Sequence, residues 1–122
     1  MPVTYRFDSN IVVVEMIGEY SMDDIRATIN NSLADPLCPQ TPFILANLSQ
    51  SRSIYTRSSE DIKTMARSLA SLGDRFNNRI ALVASTDFLF GLMRMGAVFS
   101  EEKGMKVEIF RTLKEAREWL LS

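Results

Sequence analysis

The sequence predicts an α/β fold: a mixed, mostly parallel five-stranded sheet in the order β-β-α-β-α-β-α-β-α. Three observations predict it. Phe43-Ile44-Leu45-Ala46-Asn47-Leu48 and Ile80-Ala81-Leu82-Val83-Ala84 are short, nearly continuous apolar runs, as expected of strands buried on both faces. Segments of helical period alternate with these runs, which implies parallel pairing through right-handed crossovers. Near the start, two strand-like runs flank the turn-forming Asp8-Ser9-Asn10, so the first strand runs antiparallel to the second.

Each element has its own warrant. Val3, Tyr5 and Phe7 alternate with Thr4, Arg6 and Asp8, the period of a strand with one wet face. Ile11 to Ile17 is rich in β-branched residues and forms the second strand. Ser21 reads as a helix N-cap, with Asp23 and Asp24 where unpaired N–H groups favour negative charge. Met22, Ile25, Ile29 and Leu33 follow at helical spacing, and Pro36, Pro39 and Pro42 then force a loop. After the third strand, a Ser-rich loop is expected from Ser49 to Arg57. Ser58 opens a second helix with Ile62, Met65, Ala66, Leu69 and Leu72 on one side and Gly73 at its end. Thr86 and Asp87 start a third helix that runs to about Lys103. Met105, Val107 and Ile109 alternate with Lys106 and Glu108, a strand near the sheet edge. Thr112-Leu113-Lys114-Glu115 reads as a capping box for a last helix that buries Leu113, Ala116, Trp119 and Leu120. If the strands follow in sequence, right-handed crossovers put the helices on one face. The doubly apolar strands then need cover on the other, which favours self-association.

Composition excludes several function classes. The 122 residues suit one domain, which buries roughly 65% of its unfolded surface without a metal or disulfide staple. There is no histidine, which removes every His-dependent triad, acid–base pair and metal site. A net charge of −1 gives no electrostatic reason to expect nucleic acid or an anionic membrane. The longest apolar stretch, Phe88 to Phe99, carries Arg94 and is shorter than the ~20 residues of a membrane helix. The first residues lack a basic segment followed by an apolar core, and Cys38 stands alone, so a cytoplasmic setting and an unreactive thiol are expected. No cofactor or metal is expected.

Three sets of residues remain as candidates. Ser58, Ser59 and Arg57 sit at a helix start, where an anion or phosphate is stabilised, although a plain cap explains Ser58 equally simply. Ser49, Arg52 and Tyr55 lie after one strand and Thr86 and Asp87 after the next, at the end of the sheet where open α/β folds bind ligands. That loop holds no glycine for a phosphate cradle and no base for a serine nucleophile, so no catalytic residue is assigned. In the third helix, Phe88, Leu92, Met95 and Phe99 suffice to face the sheet. Leu89, Phe90 and Met93 exceed that need and are candidate interface residues.

The layout resembles the STAS, anti-sigma-factor antagonist or SpoIIAA-like, family. It is most similar to the short stand-alone bacterial members of unassigned activity. The resemblance rests on Arg79-Ile80-Ala81-Leu82-Val83-Ala84 followed by a helix with Gly91 and Arg94. It rests also on Val107-Glu108-Ile109-Phe110-Arg111 followed by Glu115-Ala116 and Trp119-Leu120. It implies a non-catalytic interaction or regulatory module, expected here as a homodimer or bound to another protein, with a carrier of a small apolar or amphipathic ligand as the alternative. Signalling members of the family carry Asp-Ser-Ser-Gly and are phosphorylated on a serine. The matching stretch here is Arg57-Ser58-Ser59-Glu60, with arginine for the aspartate and glutamate for the glycine. Glu60 and Asp61 would repel a phosphate at this helix start. Mass spectrometry of the protein from its native cell is therefore expected to find no stoichiometric phosphate on Ser58 or Ser59.

Overall fold

The chain threads a five-stranded sheet whose strands lie side by side in sequence order. A computed structural model describes residues 2–51, 64, 67, 71, 76–77, 79–84, 86–87, 90–91, 94 and 106–122. The strands are β1 (Val3–Asp8), β2 (Ile11–Gly18), β3 (Phe43–Ser51), β4 (Arg79–Val83) and β5 (Lys106–Phe110). β1 pairs antiparallel with β2, and every later pair is parallel. The mixed sheet is thus the one the apolar runs predict. Ser9 takes φ 53 in the hairpin loop, the left-handed region that two-residue hairpins use.

Helix α1 (Met22–Ala34) returns the chain from β2 to β3. Ser21 and Asp24 form the full capping box: the Ser21 hydroxyl accepts from the Asp24 N–H at 3.1 Å and the Asp24 carboxylate from the Ser21 N–H at 2.9 Å. Ile25 and Ile29 bury themselves against β1 and β2. Thr64 and Arg67, and later Asp87, Phe90, Gly91 and Arg94, are helical. The first core thus gathers Val12, Val14, Ile44, Ala46, Ile80 and Val107 from the sheet against Ile25 and Ile29 of α1.

Helix α2 (Leu113–Leu121) corrects the expectation that the helices share one face. It lies on the opposite side, where Ala116 and Leu120 close a second core with Ile11, Val13, Leu45, Ala81 and Val83. The physical reason is that crossover handedness governs a helix between two parallel strands of the sheet, and α2 comes after the last of the five strands and does not connect two of them. The second face is therefore covered by the chain itself, and its need for cover no longer argues for self-association. Thr112 caps α2 by accepting from the Glu115 N–H, and its hydroxyl donates to the Glu115 carboxylate. Trp119 packs 5.7 Å from Phe110, with the Arg79 guanidinium 5.6 Å over its ring. Leu113, expected to be buried, opens the helix and is 38% exposed.

α2 is also tied to the far edge of the sheet. Arg117 grips the Asp8 carboxylate through Nε at 2.8 Å and its second nitrogen at 3.4 Å, joining residues 109 apart in the chain. These bonds hold the Asp8 carboxyl below its usual value of 3.8. A carboxyl lowered by folding stabilises the native state above that value and loses the effect as pH falls through the lower folded value. Arg117→Ala is expected to weaken this acid dependence in urea titrations run from neutral pH downward. Leu120→Ala is expected to cost about 2–5 kcal/mol in the same assay, because Leu120 fills the second core.

Candidate functional site

The parallel strands deliver their carboxyl ends to one rim of the sheet, the usual ligand-binding end of an open α/β fold. Ser49, Thr86 and Asp87 reach this rim. Ser49 corrects the sequence expectation of a loop: it lies within β3, which continues to Ser51. The ladder with β2 resumes past an irregularity between Glu15 and Ile17, pairing Ile17 with Gln50 and Gly18 with Ser51. Backbone pairing carries the polar residues along, so side-chain polarity alone misplaces the strand end. Arg52, Tyr55, Arg57, Ser58, Ser59, Leu89 and Met93 lie outside the described residues.

One polar group crosses the second face near this rim. Glu15 and Asn47 are direct cross-strand partners, and the Asn47 amide donates to the Glu15 carboxylate at 2.8 Å. Arg6 stands 3.5 Å from the same carboxylate. The Asn47 carbonyl accepts from both the N–H of Ser49, at 3.1 Å, and its hydroxyl, at 2.7 Å. The Ser49 hydroxyl therefore donates to an amide oxygen, too weak a base to take its proton, which orders the strand end and does not make a nucleophile.

The second group joins the ends of β4 and β5. Thr86 accepts from the Phe90 N–H at 2.9 Å, the first helical bond of the segment, which agrees with Thr86 as its cap. Asp87 pairs at 2.7 Å with Arg111, the residue after β5. The Arg111 guanidinium lies 4.5 Å over the Phe90 ring, and that half-buried ring packs against the first core. An exposed charge pair thus rests on a fixed aromatic floor. Sequence reasoning gave no site role to Arg111, Glu15 or Asn47. Their partners are distant in sequence, and the local signals were a polar residue inside an otherwise apolar run for Glu15 and Asn47 and one just beyond a strand's carboxyl end for Arg111.

A third cluster braces β1 against the end of α1. The Tyr5 hydroxyl donates to Asp35 at 2.7 Å, and the same carboxylate accepts from the Leu37 N–H at 2.9 Å. The Leu37 N–H first, and Tyr5 second, hold the Asp35 carboxyl below the usual range. The bond to Asp35 raises the Tyr5 hydroxyl. Burial, then the Asp35 charge, pushes the Cys38 thiol up, which leaves it protonated and poorly nucleophilic near neutrality. Among the described residues, no three His, Cys, Asp or Glu side chains gather in a way that could hold a metal ion. No described helix is long and apolar enough to cross a membrane.

The two rim groups differ in what they contribute to folding. Asn47→Ala breaks a half-buried set of bonds and is expected to cost about 1–3 kcal/mol in urea denaturation. Asp87→Asn disturbs a side chain that is 98% exposed and is expected to cost less than about 1 kcal/mol. A large effect at Asp87 would make that pair a structural brace.

Solved structures share this architecture. An anti-sigma factor antagonist from Mycobacterium paratuberculosis superposes with a TM-score of 0.64 at 18% identity, covering 98% of this chain and 93% of its own. An uncharacterized protein of the DUF3478 family from Shewanella loihica PV-4, with a SpoIIAA-like fold, gives 0.62 at 12% identity over 97% and 91%. At these identities the likeness concerns the fold. No curated protein matches the sequence. The SpoIIAA-like family model matches residues 11–121, from the start of β2 to the last residue of α2, and the chain belongs to the SpoIIAA-like family.

Proposed function

We propose that this chain is a non-catalytic, cytoplasmic protein-interaction module with a regulatory role, acting as a single domain that also associates with a second copy of itself. Family membership over residues 11–121 supports a module of this kind, and one structural neighbour is itself an antagonist of an anti-sigma factor. The observation that carries the reading lies at the rim. Two of its described polar groups close on themselves, Ser49 to Asn47 and Asp87 to Arg111. They do not converge on a reacting atom. What the rim offers outward is charge on a rigid support, a feature suited to docking.

The partner surface in this reading is the β4–β5 end of the rim: Asp87, Arg111 and the helical segment from Thr86 onward. Phe90 serves as its floor, since it already packs on the protomer's own core. Leu89 and Met93, close in sequence to Phe90, are proposed to contribute to it, and Arg57, Ser58 and Ser59 are proposed as an anion site. Self-association is assigned elsewhere, because Phe90 is engaged within the protomer.

Reconstitution tests the reading. A protein captured from the native cell, then purified, is expected to form a stoichiometric complex with this chain. Arg111→Glu is expected to weaken that complex at least about tenfold, while leaving the urea midpoint nearly unchanged because Arg111 pairs in solvent. Failure of every captured protein to bind directly, together with co-purification of an apolar small molecule, would turn the assignment to a ligand carrier.

A further inference from the structure

We propose that the outer edge of β1 is the self-association surface, pairing antiparallel with β1 of a second copy to make one continuous sheet across the two chains. This deepens the self-association proposed above and rests on it. β1 is a terminal strand of the sheet. Two bonds fix which of its backbone groups face outward. Ile17 donates to the Pro2 carbonyl at 2.8 Å, and Phe43 donates to the Asn10 carbonyl at 2.9 Å. With the cross-strand pairs Thr4–Glu15, Arg6–Val13 and Asp8–Ile11, the alternation of an antiparallel ladder turns Pro2, Thr4, Arg6 and Asp8 toward β2. The N–H and C=O groups of Val3, Tyr5 and Phe7 therefore point away from the sheet. Among the described residues only the Val3 carbonyl meets a partner there, the Thr28 hydroxyl at 3.5 Å.

Such an edge is a template for another strand, and proteins usually blunt it with proline, lysine, a bulge or extreme shortness. β1 spans six residues and holds neither proline nor lysine, and its two charges, Arg6 and Asp8, are engaged by Glu15 and Arg117. The flank is equally unguarded. Along α1, which packs against β1, exposed Ala27, Asn30, Asn31 and Ala34 recur at helical spacing, with the charges Asp23 and Asp24 confined to the first turn. Just beyond, Leu37 is 80% exposed, fixed by its N–H bond to the Asp35 carboxylate that also holds Tyr5.

The edge complements itself in one register. Outward groups must face outward groups, so odd residues pair with odd. Placing Tyr5 on the two-fold axis sets Val3 opposite Phe7 of the other copy and Thr4 opposite Arg6. This register forms about six backbone hydrogen bonds with no like charges directly opposed. Shifting by two residues sets Arg6 against Arg6 in one direction, and in the other sets Val3 against Tyr5 with about four backbone bonds in place of six. Within each copy Arg6 already lies near Glu15, which lowers the repulsion between the two arginines across the axis. The occupant is thus a second copy, because the strand edge matches itself in this register.

Three measurements test the surface. Light scattering of the unaltered chain at about 100 μM should give a mass near twice 13.8 kDa. Under those conditions, hydrogen exchange should find the amides of Tyr5 and Phe7 as protected as those of Arg6 and Asp8, which donate to β2. In a monomer the two sets alternate fast and slow. A Tyr5→Cys, Cys38→Ser chain should cross-link to itself under mild oxidant, since directly opposed hydrogen-bonded residues stand about 5.5 Å apart at Cα. A double-mass species whose Tyr5 and Phe7 amides exchange freely would place the dimer elsewhere, overturning this surface while leaving self-association intact. A mass of 13.8 kDa at that concentration would overturn both, and the partner-protein reading would still be judged separately by the complex that Arg111→Glu weakens.

Discussion

The constraint on which the structure depends is that β4 and the first half of β3 are apolar on both faces. A strand of this kind cannot meet water on either side, so the sheet must be covered twice. α1 supplies part of one cover. α2 supplies the other with only two fully buried side chains, Ala116 and Leu120, set four residues apart on one helical face. Ala116 matters through its smallness: a methyl group lets the helix backbone come close to the sheet. Leu120 then fills the space among Leu45, Ala81 and Val83. Arg79 over Trp119 and Arg117 on Asp8 pin the helix from both sides. α2 is therefore structural, and its removal would expose a face that has no other cover among the described residues.

That cover is partial, and the sequence follows its outline. At the amino-terminal end of β2, the second face carries Ile11 and Val13, both sealed in the core with α2. Further along the same face come Glu15 and Ile17, one polar and one 51% exposed. β3 repeats the change, from Leu45 to Asn47 and Ser49. The polar row Arg6–Glu15–Asn47–Ser49 thus begins where the helix no longer shields the sheet. Its members satisfy one another, as half-buried polar groups must.

Much of this could be read from the residues. Period-two and doubly apolar runs place all five strands, and Ser21 and Thr112 mark the starts of α1 and α2. Handedness rules then order the parallel strands. What failed to show has a common physical origin. The face taken by α2 is not fixed by handedness, because α2 does not connect two of the five strands. Ser49 to Ser51 look like a loop because their polarity hides a ladder made by the backbone. Arg111 with Asp87, and Arg117 with Asp8, meet only after β4 and β5 are adjacent and α2 has crossed the sheet. Local pattern carries no information about such pairs. Phe90 illustrates the same limit: its excess apolarity in the helix pattern is partly absorbed by the core and by the guanidinium of Arg111.

Sheet order also separates the two surfaces assigned to binding. β1 and β5 occupy opposite margins, four strand spacings or about 19 Å apart. The rim pair Asp87–Arg111 belongs to the β4–β5 side, whereas the open backbone edge belongs to β1. Pairing through β1 would extend the sheet outward and bring two α1 helices together without touching β5. The opposite margin is guarded against the same use: β5 turns exposed Lys106 and Glu108 to the face on which α2 packs. Charges on a terminal strand that have no partner among the described residues oppose strand addition, whereas Arg6 and Asp8 of β1 are already engaged by Glu15 and Arg117. Growth by edge pairing would then stop at two copies, because each copy offers one compatible edge and buries it. A closed pair with two outward-facing rims follows from this asymmetry, and each rim could hold its own protein partner.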